Sequence, residues 1–238
     1  MGDAKTRMIE LLDRAYADLQ AFSATLSDAD CAAVGTLKQW AIKDAISHST
    51  MWQQRAIERV NAIVRGEEPV NADDYLGLND AHFVAYRERS WVDTIGEAEE
   101  TYRALVALTQ SLSEEDLTDP HRFAHLKNQP LLRVIVGSGF AHSEAHLAQL
   151  YVERGEIERA NQLQETATDL LETIPEERTV ARYNLACYYA VSGQSARALT
   201  ELTTALQSHP ELVEWSKQDS DLDSLRADPA YQALYQPA

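Results

Sequence analysis

Apolar positions recur at three- and four-residue spacing along most of the chain, the period of a helix that buries one face. Met8, Leu11, Leu12, Ala15, Leu19, Phe22 and Leu26 trace the first stripe. A second stretch starts near Trp40 and carries Ile42, Ile46, Ala56, Val60 and Val64. Gly66 ends it and Pro69 prevents its resumption. A polar crossover of about a dozen residues then leads to Leu76, longer than the roughly 2–8 residues usual between bundle helices. That length predicts non-adjacent packing or a functional rim. A third helical stretch is expected from Leu78 to Leu112, bent near Gly96, with Ile95, Ala98, Tyr102, Leu105 and Leu112 on one side. After a loop through Asp119-Pro120, a fourth helix begins near Pro130, a good first-turn residue. No alternating strand pattern competes. The pattern predicts an all-α chain built on a four-helix bundle with a long crossover.

The last third carries a different signal. Leu185, Ala186, Tyr189, Gly193, Ala198, Leu202, Ala205 and Pro210 fit one register of a tetratricopeptide (TPR) repeat, in which small residues let two helices approach closely. Moving back 38 residues places Leu147, Ala148, Tyr151, Gly155, Ala160 and Ala167 at corresponding positions. The fourth bundle helix would then also open the repeats, with a bundle over 1–155 and repeats plus a cap over 156–238. Asp219, Asp221 and Asp223 alternate like a calcium loop, but no glycine makes its turn and no glutamate closes it, so the run reads as a solvated cap.

Composition narrows the function. The chain has 238 residues and a formal net charge of −17. From Gly155 onward there are 14 acids and 6 bases, so the acidity is shared by both parts and no basic module hides in either. Nucleic-acid binding needs a phosphate-neutralising surface, and none is expected. No apolar run reaches the ~20 residues that span a bilayer, and no signal segment opens the chain. Cys31 and Cys187 are far apart among apolar neighbours and read as reduced thiols, consistent with a cytoplasmic protein. Cys187 fills a small repeat position rather than that of a nucleophile.

The candidate chemistry lies in histidine. His142 and His146 are four apart in helical sequence, so both imidazoles share one face and could hold one metal ion with a third ligand. Leu131, Ile135, Gly139 and Gln149 complete that stripe, so the pair occupies core positions. His48, on the second helix near Ile42, Ile46 and Ser49, is the best third ligand. Asp44, one turn earlier, either supports the His48 ring or only complements the helix N-terminus. Glu144 should face away as a solvated or interface charge. Asn79, Asp80 and His82 are candidates to line the pocket near the crossover. Trp40, Trp52 and Trp91 read as core or pocket walls, His121 and His125 as structural, and Arg133 as exposed.

These residues resemble a known family. Trp40, Lys43-Asp44 and His48, followed by a distant His-x-x-x-His, are similar to the DinB-like (YfiT-like) metalloprotein superfamily, and within it to the ClbS/DfsB group of four-helix bundles. Leu78-Asn79-Asp80, Trp91, Leu112 to Leu117, Asp119-Pro120 and Pro130-Leu131 add to the likeness, which covers residues 4–154. Ala41 departs from it, standing where the family often has a capping Ser or Thr. The resemblance implies a divalent metal held by His48, His142 and His146, with positions open to water or substrate. It implies a metal-dependent transferase or hydrolase acting on a small molecule, of thiol-conjugation or detoxification and self-protection type, with a low-molecular-weight thiol as a further cofactor. The residues assign no catalytic group, and zinc, nickel and iron all suit imidazole. The competing expectation is a non-catalytic interaction scaffold. There the repeats would grip a protein partner or a second copy, and a structural or vestigial metal would pin two helices.

Overall fold

A computed structural model describes residues 3–69 and 74–236. The chain is all-α, with no strand among the described residues. It divides into two compact units, Met1–Leu147 and Ala148–Ala238. No helix of the described residues is long and apolar enough to cross a membrane.

The first unit is built on α1 (Ala4–Ser23), α3 (Ile42–Val64) and α5 (Trp91–Ser111), with a last helix formed by α7 (Leu132–Val136), a π turn (Gly137–Ala141) and the start of α8 (His142–Glu153), which the division at Leu147 cuts. Two short helices, α2 (Asp28–Ala32) and α6 (Glu114–Thr118), and the shorter α4 (Tyr75–Tyr86) complete it. Each short helix starts where the sequence supplies a cap. Ser27 with Asp30, and Ser113 with Asp116, form reciprocal capping boxes. Most of the predicted stripes are buried: Met8, Leu11, Leu12, Ala15 and Phe22 from α1, Ile46, Ala56 and Val60 from α3, Ala98 and Leu105 from α5, Leu131 and Ile135 from the last helix, while Leu19, Leu26, Ile42, Ile95 and Tyr102 are half-buried and Gln149 is exposed. Val64, expected on the inner side, is exposed because α3 ends beside it and Gly66 turns the chain at φ +73°. The predicted crossover falls partly on residues 70–73, outside the described residues.

The third stretch differs from expectation. It is not one helix bent at Gly96 but two helices, α4 and α5, broken at Arg87–Ser90, while Gly96 lies inside α5. Side-chain chemistry made the break. Ser90 caps α5 by accepting from the Asp93 backbone N–H, Arg89 pairs with Glu97, and the buried Lys43 ammonium donates to the Arg89 carbonyl at 2.9 Å. Lys43 thereby ties the start of α3 to the α4–α5 corner.

The second unit holds α9 (Ile157–Glu172), α10 (Arg178–Val191), α11 (Ser195–Ser208) and the short α12 (Val213–Ser216) and α13 (Pro229–Ala233). Leu185, Ala186, Tyr189, Ala198, Leu202 and Ala205 are all buried, and α10 packs along α11. Gly193 makes the α10–α11 turn at φ +79°, and Gly155 the α8–α9 turn at φ +77°. The acidic run after α12 folds inward at one point. Asp219 accepts from the Tyr183 hydroxyl at 2.7 Å and from the Trp215 indole at 3.2 Å. Buried Asn161 bonds both Tyr188 and Gln194.

Candidate metal centre

The first turn of α3 is fixed before His48 is reached. Ala41 has no capping side chain, so Asp44 supplies the bond, accepting from the Ala41 backbone N–H at 2.8 Å. Asp44 also accepts from Gly35, where a Cβ would lie 2.2 Å from the carboxylate, so only glycine permits the approach. This anchors the segment that carries Trp40, whose ring packs on His48 at 4.9 Å between centroids and stacks on Phe83. His48 follows Asp44 by one turn on the same face and is buried.

The other two histidines depend on the π turn. Its widened geometry directly precedes His142, the kind of local irregularity often found at functional sites. Gly139 within it lets two helices come close. A Cβ there would stand 2.5 Å from a Leu12 methyl and 2.7 Å from a Leu105 methyl. Gln53 of α3 donates to the Ser143 hydroxyl at 2.9 Å, fixing the register between α3 and α8.

The three imidazoles meet. Centroid separations are 4.5 Å for His142–His146, 4.7 Å for His48–His146 and 5.2 Å for His48–His142. The Nε2 atoms of His142 and His146 are 3.2 Å apart, and one ring nitrogen of each histidine lies within 4.8 Å of the others. His48 is buried and the other two are half-buried. Burial pushes His48 down to about 3, with His146 and His82 adding to it, and pushes His142 down to about 3, with His146 and His48 adding to it. Burial also lowers His146. The set is therefore neutral near pH 7, the form that binds a cation. The buried Nδ1 atoms of His48 and His142 have no hydrogen-bond partner. A buried polar atom without a partner is costly, and a cluster of three neutral nitrogens with such atoms suits a transition-metal or zinc ion.

The remaining predicted residues separate. Asp44 is a helix cap, and the orphaned Nδ1 of His48 shows that the carboxylate does not support that ring. Asn79 accepts from the Trp52 indole at 3.1 Å, and Trp52 stands edge-on to His48 and His142 at 6.3 and 6.4 Å. Asn79 thus fixes a wall of the centre. His82 bonds the Ser47 hydroxyl at 2.8 Å and stacks on Tyr86, beside the centre rather than in the cluster. Asp80 is exposed on α4. Glu144, expected to be a solvated or interface charge, is instead 1% exposed. It does face away from the histidines, but its face is covered by packing around α1. Burial, with Asp18 adding and Arg14 opposing, pushes its carboxyl up to about 8. Helical spacing gives its direction and cannot say what covers it.

A groove of about 670 Å³ lies further along the same unit, lined by residues that include Arg59, Glu68, His125, Lys127, Arg133 and Ser138. Arg133 is half-buried and donates to Gln129, rather than standing exposed as expected. Charge counting over the whole chain hid this site, because its cations come from three separate segments.

The DinB superfamily family model matches residues 11–150, which include all three histidines and α3 through the first turns of α8. No curated protein and no solved structure matches the chain significantly. The match covers more than half of the chain, and with the three converging imidazoles it shows that this protein belongs to the DinB superfamily, a group that binds metals in general.

Proposed function

We propose that His48, His142 and His146 hold one divalent metal ion and that the protein is a metal-dependent transferase or hydrolase for a small electrophile or thiol conjugate, of the ClbS/DfsB type within its superfamily. The observation that carries this reading is the convergence of three neutral imidazole nitrogens within 4.8 Å of one another. When bound, such an ion supplies positive charge and Lewis acidity to a water or a low-molecular-weight thiol that has to lose a proton. The protein's own contributions are the neutral donors, the Trp40 and Trp52 walls that keep bulk water from the rings, and the Asn79 bond that holds Trp52 in place.

Among the described residues the cluster contains three ligands. A structural site usually closes with a fourth, whereas a catalytic site keeps a position open. That favours the enzyme over the scaffold, in which the metal would only pin α3 to α8. On either reading we assign a protein partner or self-association to the second unit, and the free thiols Cys31 and Cys187 support a cytoplasmic location.

Metal analysis of protein purified without a histidine tag tests the site. About one divalent ion per chain is expected in wild type, and loss of it in His142→Ala/His146→Ala. Full occupancy in that variant, or none in wild type after supplementation, overturns the site. If metal is present, turnover of epoxide-like electrophiles with added thiols separates enzyme from scaffold.

A further inference from the structure

We propose that the groove lined by Arg59, Lys127, Arg133 and His125 binds the acidic group, a carboxylate or phosphate, of a small molecule whose other end lies at the histidines. The substrate-end assignment rests on the metal-site reading above; the anion site does not.

The first argument is charge. Acids outnumber bases 38 to 21, and most arginines that pair do so with local carboxylates, as in Arg65–Glu67, Arg122–Asp116 and Arg226–Asp223. Against that background the groove gathers, among the described residues, two arginines, a lysine and a histidine around one acid, Glu68. Glu68 approaches His125 Nδ1 at 3.2 Å. No ion pair joins Arg59 or Lys127 to a described residue. Arg59 and Lys127, lining one concavity in an acidic protein, attract an anion.

The second argument is backbone. Lys127 and Asn128 both adopt left-handed conformations, at φ +50° and +64°. Non-glycine residues reach that region at a cost that the surrounding structure must offset, and the loop that carries them places Lys127 on the groove wall.

The third argument is direction. On α3, His48, Trp52, Arg55 and Arg59 succeed one another at four, three and four residues, a single face. Arg55 lies over the Trp52 ring at 5.7 Å. On the last helix, His146, His142, Ser138 and Val134 follow at four-residue steps. The Gln53–Ser143 bond joins these two helices at the level of the histidines. The groove is therefore the far end of the seam that holds the metal centre. Arg59 stands about 16 Å along α3 from His48 at ~1.5 Å per residue, and Val134 lies eight residues before His142, across the π turn. The volume is in the range of small-molecule sites, roughly 300–1,000 Å³. The match is to an elongated acid, its anion among the cations and its apolar body passing Trp52.

Binding to the chelator-treated full chain tests this without turnover. Titrations at low salt with inorganic phosphate and with citrate distinguish which acid is preferred. Arg59→Glu/Lys127→Glu changes only exposed side chains and should weaken the preferred anion by at least about tenfold. Glu68→Gln should tighten it. His142→Ala/His146→Ala should bind it as wild type does, so failure of the metal site leaves this result readable. Imidazole NMR tests the direction. Inorganic phosphate should shift His125 alone, whereas octyl phosphate should shift His142 as well. No anion binding by wild type, or equal binding by the charge-reversed variant, overturns the anion site. Octyl phosphate that leaves His142 unmoved overturns its place at the end of the seam.

Discussion

Two glycines in the turn before His142 should respond in opposite ways to the same substitution. Gly137 has nothing within 4 Å of the position a Cβ would take, and its φ of −57° suits any residue. Gly137→Ala should therefore gain the usual helical advantage of alanine, about 0.5–1 kcal/mol. At Gly139 the same methyl would meet Leu12 Cδ2 at 2.5 Å and Leu105 Cδ2 at 2.7 Å. Both leucines are fully buried, at 3% and 1% exposure, and cannot swing into solvent. Overpacking of this kind costs about 1–3 kcal/mol, from which the propensity gain of about 1 kcal/mol is subtracted. A net loss of up to about 2 kcal/mol is expected for Gly139→Ala. Urea unfolding of chelator-treated protein reads both values. Because His142 follows three residues later, Gly139→Ala should also weaken cobalt binding, while Gly137→Ala should leave it near wild type. If alanine stabilises both positions alike, α1 and α5 do not crowd the π turn and the account of how it positions His142 fails.

Stability of the metal-free chain should fall on acidification. His48 and His142 stay neutral in the folded chain down to about pH 3, whereas unfolded histidine takes a proton near 6.5. The unfolded chain therefore binds more protons below 6.5, and this contribution is complete above that pH and lost as pH drops, by about 1–2 kcal/mol per histidine from pH 7 to pH 5. A His48→Gln/His142→Gln variant with an unchanged acid slope would refute it. Asp44→Ala removes the bonds to Ala41 and Gly35 and should cost about 1–2 kcal/mol, with faster proteolysis across residues 33–41. An unaltered digestion pattern would show that Asp44 does not anchor that segment.

Sequence alone determined what is local and periodic. The inward stripes of α1, α3 and α5 follow from three- and four-residue spacing. So does the shared face of His142 and His146, because the geometry of one helix fixes both. His48 entered through its inward face and through the family likeness. Its 4.7 Å approach to His146 depends on how two helices cross, which no local spacing contains. Tertiary structure decided the rest for the same reason. Glu144 points away from the histidines as spacing requires, yet it is buried beside α1, and that burial pushes its carboxyl well above the usual carboxylate range. The third stretch was expected as one helix, but Lys43, 46 residues before Arg89, holds a corner there. Asp44 had two local readings open, and the Gly35 approach selected the cap. The basic groove was invisible because Arg59, Lys127 and Arg133 are brought together only by the fold. Periodicity tells each helix which side to bury, and the packing of the helices decides which residues meet there.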